Sequence, residues 1–471
     1  MANLSIRNLT IYPLELVSVE RFEGGRVQTG NKFSNMTGAV TGFFNATDFP
    51  SHQTVAQGDA RHKDSVSVHI EPFHIKQTEI KTADPKKEVI RLKFKTDNHE
   101  FETDVPSPSS KSATMKRLSG DTHELTAVYV PTGAFVAVLS SAKLNAWMKQ
   151  LNNDWPLTML SIPGTHNSPT CHKALPSVRC QAVSIKEQLQ NGVRFLDVRV
   201  SCDPDSDKLA LVHSAFPISL TGTKYFGDML NVLYGFLEEN PSETILLSVK
   251  REGTGSGTDA QLGKYLKYSY VDKNRDRWWT EPKIPLLGGA RGRIVIIRRF
   301  ALGDEMHKAC WDGRGWGLDA SRWPDNCEDG HCCDEHIRVQ DFYEITESQN
   351  IQKKIDFSRG ALERASSQVF ALPGTPNHTA DNKIPPFFVN FLSASNFFNA
   401  GCWPERIAAK VNPSIVEYLC IAHGEEGKGP KKLKVGSSGT GIVVTDWVGA
   451  NDDWDLIRCI VGMNAKLQLK K

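Results

Sequence analysis

TMLSIPGTHNSPT at Thr158–Thr170, followed by SIKEQLQNGVRFLDVRV at Ser184–Val200, sets the terms on which the rest of the chain is read. A short apolar run enters a glycine turn, a Ser-led helical segment stops at Gly192, and a second apolar run ends in Asp197, Val198 and Arg199. That order of strand, loop, helix and strand is a parallel β/α unit. The alternation continues through LALVH (Leu209–His213), a helix at Met229–Asn240 halted by Pro241, TILLSVK (Thr244–Lys250), GRIVIIRRF (Gly292–Phe300), FFVNFLS (Phe387–Ser393) and GIVVTDWV (Gly441–Val448). Near-continuous apolar strands alternating with helices imply a parallel sheet covered by helices, and so many units predict a closed, TIM-type β/α barrel.

Upstream the pattern changes. SSAKLNAWMKQL (Ser140–Leu151) has helical periodicity, with Leu144, Trp147, Met148 and Leu151 on one face. Before it, LTIYPLELVSVERF, SVSVHIEPFHI, KEVIRLKFKT, HELTAVYV and GAFVAVLS alternate with period two between turn-forming clusters. These predict antiparallel strands and an N-terminal β-sandwich over residues 1–140, leaving 144–466 to the barrel, with the division near Ser140–Lys143. The Ser- and Lys-rich stretch Val105–Gly120 reads as a loop inside the β domain. His69 and His74 lie in strand-like segments and read as surface or core residues.

A chain of 471 residues exceeds one typical core, which agrees with two domains. A net charge of +2 argues against a nucleic-acid binder, which would carry a basic excess. No run approaches the roughly 18–20 apolar residues that span a bilayer. The opening MANLSIRNLTIYPLEL lacks the pattern of a secretory signal, and Ala2 stands where myristoylation needs glycine, so a cytoplasmic or peripheral membrane protein is expected. All ten cysteines fall between Cys171 and Cys459. Cys327, Cys332 and Cys333 near His331 and His336 fit no regular zinc spacing and read as a surface loop.

Ionisable residues recur where the strands end: His166, Asp197 and Arg199, His213, Lys250, Arg298 and Arg299, and Asp446. In a β/α barrel such ends share one face, where active sites are assembled from several strands. Taken in order, AWMKQL, LSIPGTHNSPT, LQNGVRFLDVRV, LALVH, ILLSVKRE, GGARGRIVIIRRF, WPDN at Trp323–Asn326, VQDFYEI, FVNFLSAS, VNPSIVEYL and GIVVTDWVG make the barrel resemble bacterial-type phosphatidylinositol-specific phospholipase C, with its PLC X-domain fold, across Leu144–Asn464.

The resemblance implies the chemistry and the residue roles. His166 is the general base on the inositol 2-hydroxyl, Asp446 orients it, and His213 protonates the leaving diacylglycerol oxygen. Arg199 takes the place of the calcium that related enzymes use, since a fixed guanidinium stabilises charge on the phosphorus oxygens; no metal or other cofactor is expected. Lys250, Arg299 and Asp341 are matched to the inositol hydroxyls, with Tyr343 stacked under the ring and Asp197 counted beside them. Of each charged cluster, Arg298–Arg299 and Lys250-Arg251-Glu252, one residue is expected in the site. Asn167 departs from the metal-independent pattern, which has Asp there; Asp197 is expected to compensate. A phosphatidylinositol-type lipid and peripheral contact with a membrane are the expected partners, with no nucleic acid or protein partner. Trp278-Trp279 and the lysine-bearing loop Gly427–Gly439 are candidate membrane contacts. The alternatives are a headgroup-binding protein with reduced turnover, and a metal-dependent phosphodiesterase, including a calcium site built on Asn167 and Asp197.

Overall fold

The computed structural model describes residues 2–28, 52–84, 87–106, 111–120, 124–332, 336–379 and 382–469. They divide into two compact units: Met1–Ala142 with Val416–His423 and Asp453–Leu469, and Lys143–Ile415 with Gly424–Asp452.

Among the described residues the first unit carries ten strands: β1 (Asn3–Leu9), β2 (Leu14–Gln28), β3 (His52–Ile70), β4 (Ile75–Lys81), β5 (Glu88–Thr96), β6 (His99–Val105), β7 (Ser112–Thr114), β8 (Lys116–Ser119), β9 (Leu125–Val130) and β10 (Phe135–Ser140). They form two five-stranded sheets, ordered β4-β1-β10-β9-β7 and β3-β2-β5-β6-β8. Alternate residues of both, among them Ile6, Leu16, Leu92, Phe94, Phe101, Leu125 and Val138, meet in a single apolar core. The second sheet is antiparallel throughout, as alternation predicts. The first is mixed, because β1 pairs with β10 in parallel. Within Val105–Gly120, read from sequence as a loop, Ser112–Thr114 and Lys116–Ser119 are strands; 107–110 lie outside the described residues. Partner strands β9 and β6 supply the pairing that local periodicity did not announce.

The C-terminal helix Asp455–Gly462, assigned from sequence to the barrel, belongs to this first unit. Its Asp455 accepts the backbone N–H groups of Lys111 and Ser112 at 2.9 and 3.0 Å. Gly462 lies so close to Leu139 that a Cβ would stand 2.9 Å from that side chain. This outer cover accounts for the burial of β10 on both faces over Phe135–Leu139. Arg7, 1% exposed, donates to the Cys420 and His423 carbonyls at 3.0 and 2.7 Å, satisfying the end of the helix Pro404–Ile421.

The second unit begins with a kinked 3₁₀ turn, Leu144–Gln150, shorter than the predicted helix, whose Trp147 and Met148 are buried. Its strands are β11 (Ile162–Thr165), β12 (Phe195–Asp203), β13 (Ser206–His213), β14 (Phe216–Pro217), β15 (Ile245–Arg251), β16 (Trp278–Trp279), β17 (Ile294–Arg299), β18 (Leu318–Asp319), β19 (Gly330–Cys332), β20 (Ile337–Gln340), β21 (Phe387–Phe391) and β22 (Ile442–Thr445). The path β17-β15-β12-β11-β22-β21-β20 is parallel throughout. Strands such as β17, β21 and β22 are buried along their whole length, which accounts for their unbroken apolar composition. Helices Ile185–Gln190, Phe226–Glu239, Asp259–Tyr265 and Ile351–Ser366 lie between strands, the first and third started by capping boxes at Ser184/Glu187 and Thr258/Gln261.

Two expectations change here. The barrel is open: among the described residues no ladder joins the β17–β18 edge to β20, so the sheet curls without closing. LALVH is not a parallel strand, since β13 runs antiparallel to β12 with Val200 opposite Leu211. The hairpin carries the chain past the strand end and brings His213 back to it. At the opposite, N-terminal end, Arg194 and Glu243 form an ion pair at 2.9 Å with both side chains fully buried.

Candidate active site

The parallel register lines up the charged residues before any side chain is considered. Arg199 stands opposite Lys250, and Lys250 opposite Arg299, so β12, β15 and β17 present three cations in one row. Next to β12 lies β11, whose Thr165 leads into His166, and then β22, whose Thr445 leads into Asp446.

His166 Nδ1 lies 3.0 Å from Asp446 Oδ1, the carboxylate being 2% exposed. A proton on Nδ1 given to Asp446 leaves the Nε2 lone pair to accept, and the Asn167 amide donates to it at 3.2 Å. Gln181 fixes the corner, donating to the His166 and Thr445 carbonyls at 2.7 and 2.9 Å. Burial pushes the Asp446 carboxyl up, against the pull of His166. The His213 ring meets that of His166 edge to face with centroids 5.8 Å apart. Its Nδ1 donates to the Val178 carbonyl at 2.8 Å. Burial, then the positive charge of Arg199, lowers the His213 pKa to about 4.

Arg199 is clamped. Its Nε and one terminal nitrogen lie 3.3 and 3.4 Å from Asp197 Oδ2, and the other terminal nitrogen 2.9 Å from Glu252. Burial opposes its charge, but Asp197 and Glu252 outweigh burial and hold its pKa above the usual arginine range. Glu252 also accepts Lys250 Nζ at 2.8 Å and the Ser214 N–H at 2.9 Å, joining the Arg199 row to the residue after His213.

Asp197, grouped from sequence with headgroup contacts, is fully buried. One oxygen faces Arg299 at 3.4 Å; the other takes Arg199 and the Asn167 N–H. Burial would raise its carboxyl, but the two arginines hold it below the usual range. In this geometry it is committed to the two arginines. The same commitment speaks against the calcium site on Asn167 and Asp197, since two guanidiniums already occupy the carboxylate. Asn167 itself adopts φ +42°, a left-handed conformation that Asn tolerates better than most residues.

Arg299 stacks on Trp323, 3.9 Å from the ring centroid, and reaches Asp341 at 3.9 Å, while Trp323 Nε1 donates to Asp341 at 2.9 Å. The Tyr343 hydroxyl donates to Asp325 at 2.9 Å. Arg298 turns away toward the Trp316 carbonyl and Asp319, and Arg251 toward Asp259. From the Arg298–Arg299 pair only Arg299 thus points inward, whereas the second cluster contributes both Lys250 and Glu252.

Gln181 was not singled out from sequence, Glu252 was named only as a member of the Lys250 cluster, and Trp323 only within the WPDN motif. Glu252 has a signal, an acid two residues beyond the Lys250 strand end; Gln181 sits in a loop with none. The membrane candidates are misplaced. Trp278 is buried with its Nε1 on Tyr234, and β16 pairs with the start of β17, at the end away from the site. The Gly427–Gly439 loop likewise leads into the start of β22 and is pinned by Glu363, which accepts the Lys431 and Leu433 N–H groups at 2.6 Å. Exposed aromatics lie instead beyond the strand ends: Phe216, three residues after His213, stacks on Phe397 at 5.6 Å, and neighbouring Phe398 is 94% exposed. Cys333 lies outside the described residues, while the Cys327 thiol points at the Pro324 and Val339 carbonyls. Among the described residues, one group of metal-type donors converges: His166, Cys180 and His213. No described helix is long and apolar enough to cross a membrane.

Residues 153–300 match the family described as phosphatidylinositol-specific phospholipase C, X domain. The chain is 29% identical over 171 residues to 1-phosphatidylinositol phosphodiesterase of Listeria monocytogenes, covering 34% of this chain and 50% of that protein. It is 24% identical over 331 residues to the protein of the same name from Staphylococcus aureus strain Newman, covering 64% and 88%. It thus spans half the length of the first relative and most of the second. A crystal structure of the Staphylococcus aureus phosphatidylinositol-specific phospholipase C superimposes with a TM-score of 0.51 at 21% identity, covering 68% of this chain and 97% of that one, and supports the TIM-barrel-like fold. Within the barrel unit, residues 153–300 are thus similar to the phosphatidylinositol-specific phospholipase C X domain.

Proposed function

We propose that the barrel unit is a phosphatidylinositol-specific phospholipase C-type enzyme that cleaves the glycerol–phosphate bond to give diacylglycerol and inositol 1,2-cyclic phosphate. The observation that carries this reading is the facing pair of histidines, one tied to a buried carboxylate, beside an arginine clamped by two acids. His166 Nε2 takes the proton of the inositol 2-hydroxyl as its oxygen bonds to phosphorus. The bond from phosphorus to the glycerol oxygen breaks, and protonated His213 gives that oxygen its proton. Arg199, held rigid by Asp197 and Glu252, stabilises the charge on the non-bridging oxygens without reorganising. A resting His213 with a pKa near 4 is neutral at pH 7; a phosphodiester anion bound beside Arg199 offsets the charge that depresses it and restores the proton.

Lys250, Arg299 and Asp341 are suited to the inositol hydroxyls. Tyr343, with its hydroxyl on Asp325, or Trp323 provides an aromatic face. The exposed trio Phe216, Phe397 and Phe398 gives a peripheral membrane contact next to His213. We assign the barrel as the catalytic domain and the first unit as a β-sandwich.

The test is release of inositol 1,2-cyclic phosphate from phosphatidylinositol vesicles with and without EDTA. Release that persists in chelator supports the assignment, and release abolished by chelator refutes the arginine's role. Vesicle binding without release points to a headgroup-binding protein. His213→Ala is expected to lower turnover about 10²–10⁴-fold with the fold intact.

A further inference from the structure

The site holds a donor that phosphodiester cleavage does not use. Cys180 is fully buried, with Sγ 3.7 Å from His213 Nδ1. Its thiol and one ring nitrogen from each of His166 and His213 all lie within 4.8 Å of one another. We propose that His166, Cys180 and His213 form an inhibitory site for a thiophilic divalent cation of the zinc type. That such binding would inhibit rests on the acid–base reading above; that it would occur does not.

Two imidazoles and a thiolate are a zinc donor set, and a fourth position remains for water. With zinc bonds of about 2.0–2.1 Å to nitrogen and 2.3 Å to sulfur, neighbouring donors in a tetrahedron stand about 3.3–3.6 Å apart. The Cys180–His213 separation is already close to that, and a modest contraction completes the triangle. His166 has the outer partner such a site wants, since Asp446 on Nδ1 orients the ring and strengthens the other nitrogen as a ligand. Three hydrogen bonds oppose binding: the Asn167 amide must leave His166 Nε2, coordination through His213 Nδ1 displaces the Val178 carbonyl, and the Cys180 thiol gives up its own bond to that carbonyl at 3.5 Å.

Charge selects the kind of metal. Burial keeps the Cys180 thiol protonated in the free protein, and a bound cation releases that proton to solvent and gains a thiolate ligand. The new negative charge offsets the nearby Arg199. A hard cation gains little from sulfur, and the oxygens of Asp197 are already occupied by arginines. Once held, the metal occupies the lone pair of the base and ties up the acid.

The experiment uses the whole protein, stripped of metal, with Zn²⁺ titrated by calorimetry into wild type, Cys180→Ser and Cys180→Ala. Cyclic phosphate release and the thiolate-to-metal absorption of Co²⁺ are followed in parallel. Because the chain has ten cysteines, the difference between proteins is the readout. The expected result is one equivalent fewer in both variants, unchanged zinc-free turnover, and at least tenfold more zinc needed to inhibit them, with calcium inert. Identical isotherms in wild type and both variants, with matching thermal unfolding, would overturn the site. A zinc-free protein without turnover whose Cys180 variants still lose one equivalent supports the metal site and overturns only the enzymatic reading.

Discussion

Glu252→Gln tests whether Arg199 depends on its clamp. The carboxylate accepts Arg199 at 2.9 Å, Lys250 at 2.8 Å and the Ser214 N–H at 2.9 Å. Glu252 and Arg199 are only 12% and 13% exposed, whereas Lys250 is 37% exposed and adds little through solvent screening. A unit charge pair at about 4 Å in a medium of effective dielectric about 20 is worth about 4 kcal/mol before desolvation is subtracted. Gln retains an acceptor, and Asp197 still holds the other edge of Arg199, so the expected net loss is about 1–3 kcal/mol of stability. The functional effect is larger, because a guanidinium released on one side tilts toward Asp197. A misplacement of about 1 Å at a charge-stabilising group costs up to about 100-fold in rate. Hydrolysis of soluble inositol 1,2-cyclic phosphate reads this without vesicle binding, and urea unfolding gives the stability. The expected pattern is a fall of about 10- to 100-fold in kcat with KM changed far less. A variant within twofold of wild type in kcat and within about 0.5 kcal/mol in stability would refute the clamp.

Acid lability follows from His213, whose pKa falls from 6.5 to about 4 in the folded protein. The unfolded chain binds a proton that the folded chain refuses between those values, so stability drops as pH falls through that window, by about 3 kcal/mol once below 4. His213→Gln should flatten that part of a stability–pH curve; an unchanged slope would contradict the depressed pKa. Arg194→Met leaves Glu243 buried and unpaired and should destabilise by about 3–5 kcal/mol in urea titrations, with a change under 1 kcal/mol counting against the pair. Asn167→Asp removes the amide donor on His166 Nε2, and cyclic phosphate release should be preserved or raised if the residue only supports Arg199; a large loss would mean the amide itself is required. Phe397→Ser with Phe398→Ser should weaken sedimentation with phosphatidylinositol vesicles while soluble cyclic phosphate is still hydrolysed. Equal vesicle binding would remove the aromatic rim from the account.

The parallel strands of the second unit were legible because strands buried on both faces must be apolar throughout, and most of their ends were legible because an ionisable residue interrupts the run. His166, Arg199, Lys250, Arg299 and Asp446 were accordingly placed at strand ends one strand at a time. Local sequence also announced the antiparallel sheet of the first unit, through period two. What only the tertiary structure decided are relations between distant segments, for which local periodicity carries no signal. The parallel pairing of β1 with β10, the helix Asp455–Gly462 on the first unit and the open edge of the barrel are of that kind. The hairpin that returns His213 depends on strand direction, which an apolar run does not encode. The assignment of Glu252 to Arg199 and of Asp197 to Arg299, and the approach of Cys180 to both histidines, follow from the same cause: electrostatic partners are set by separation in space, and these partners come from different strands and loops.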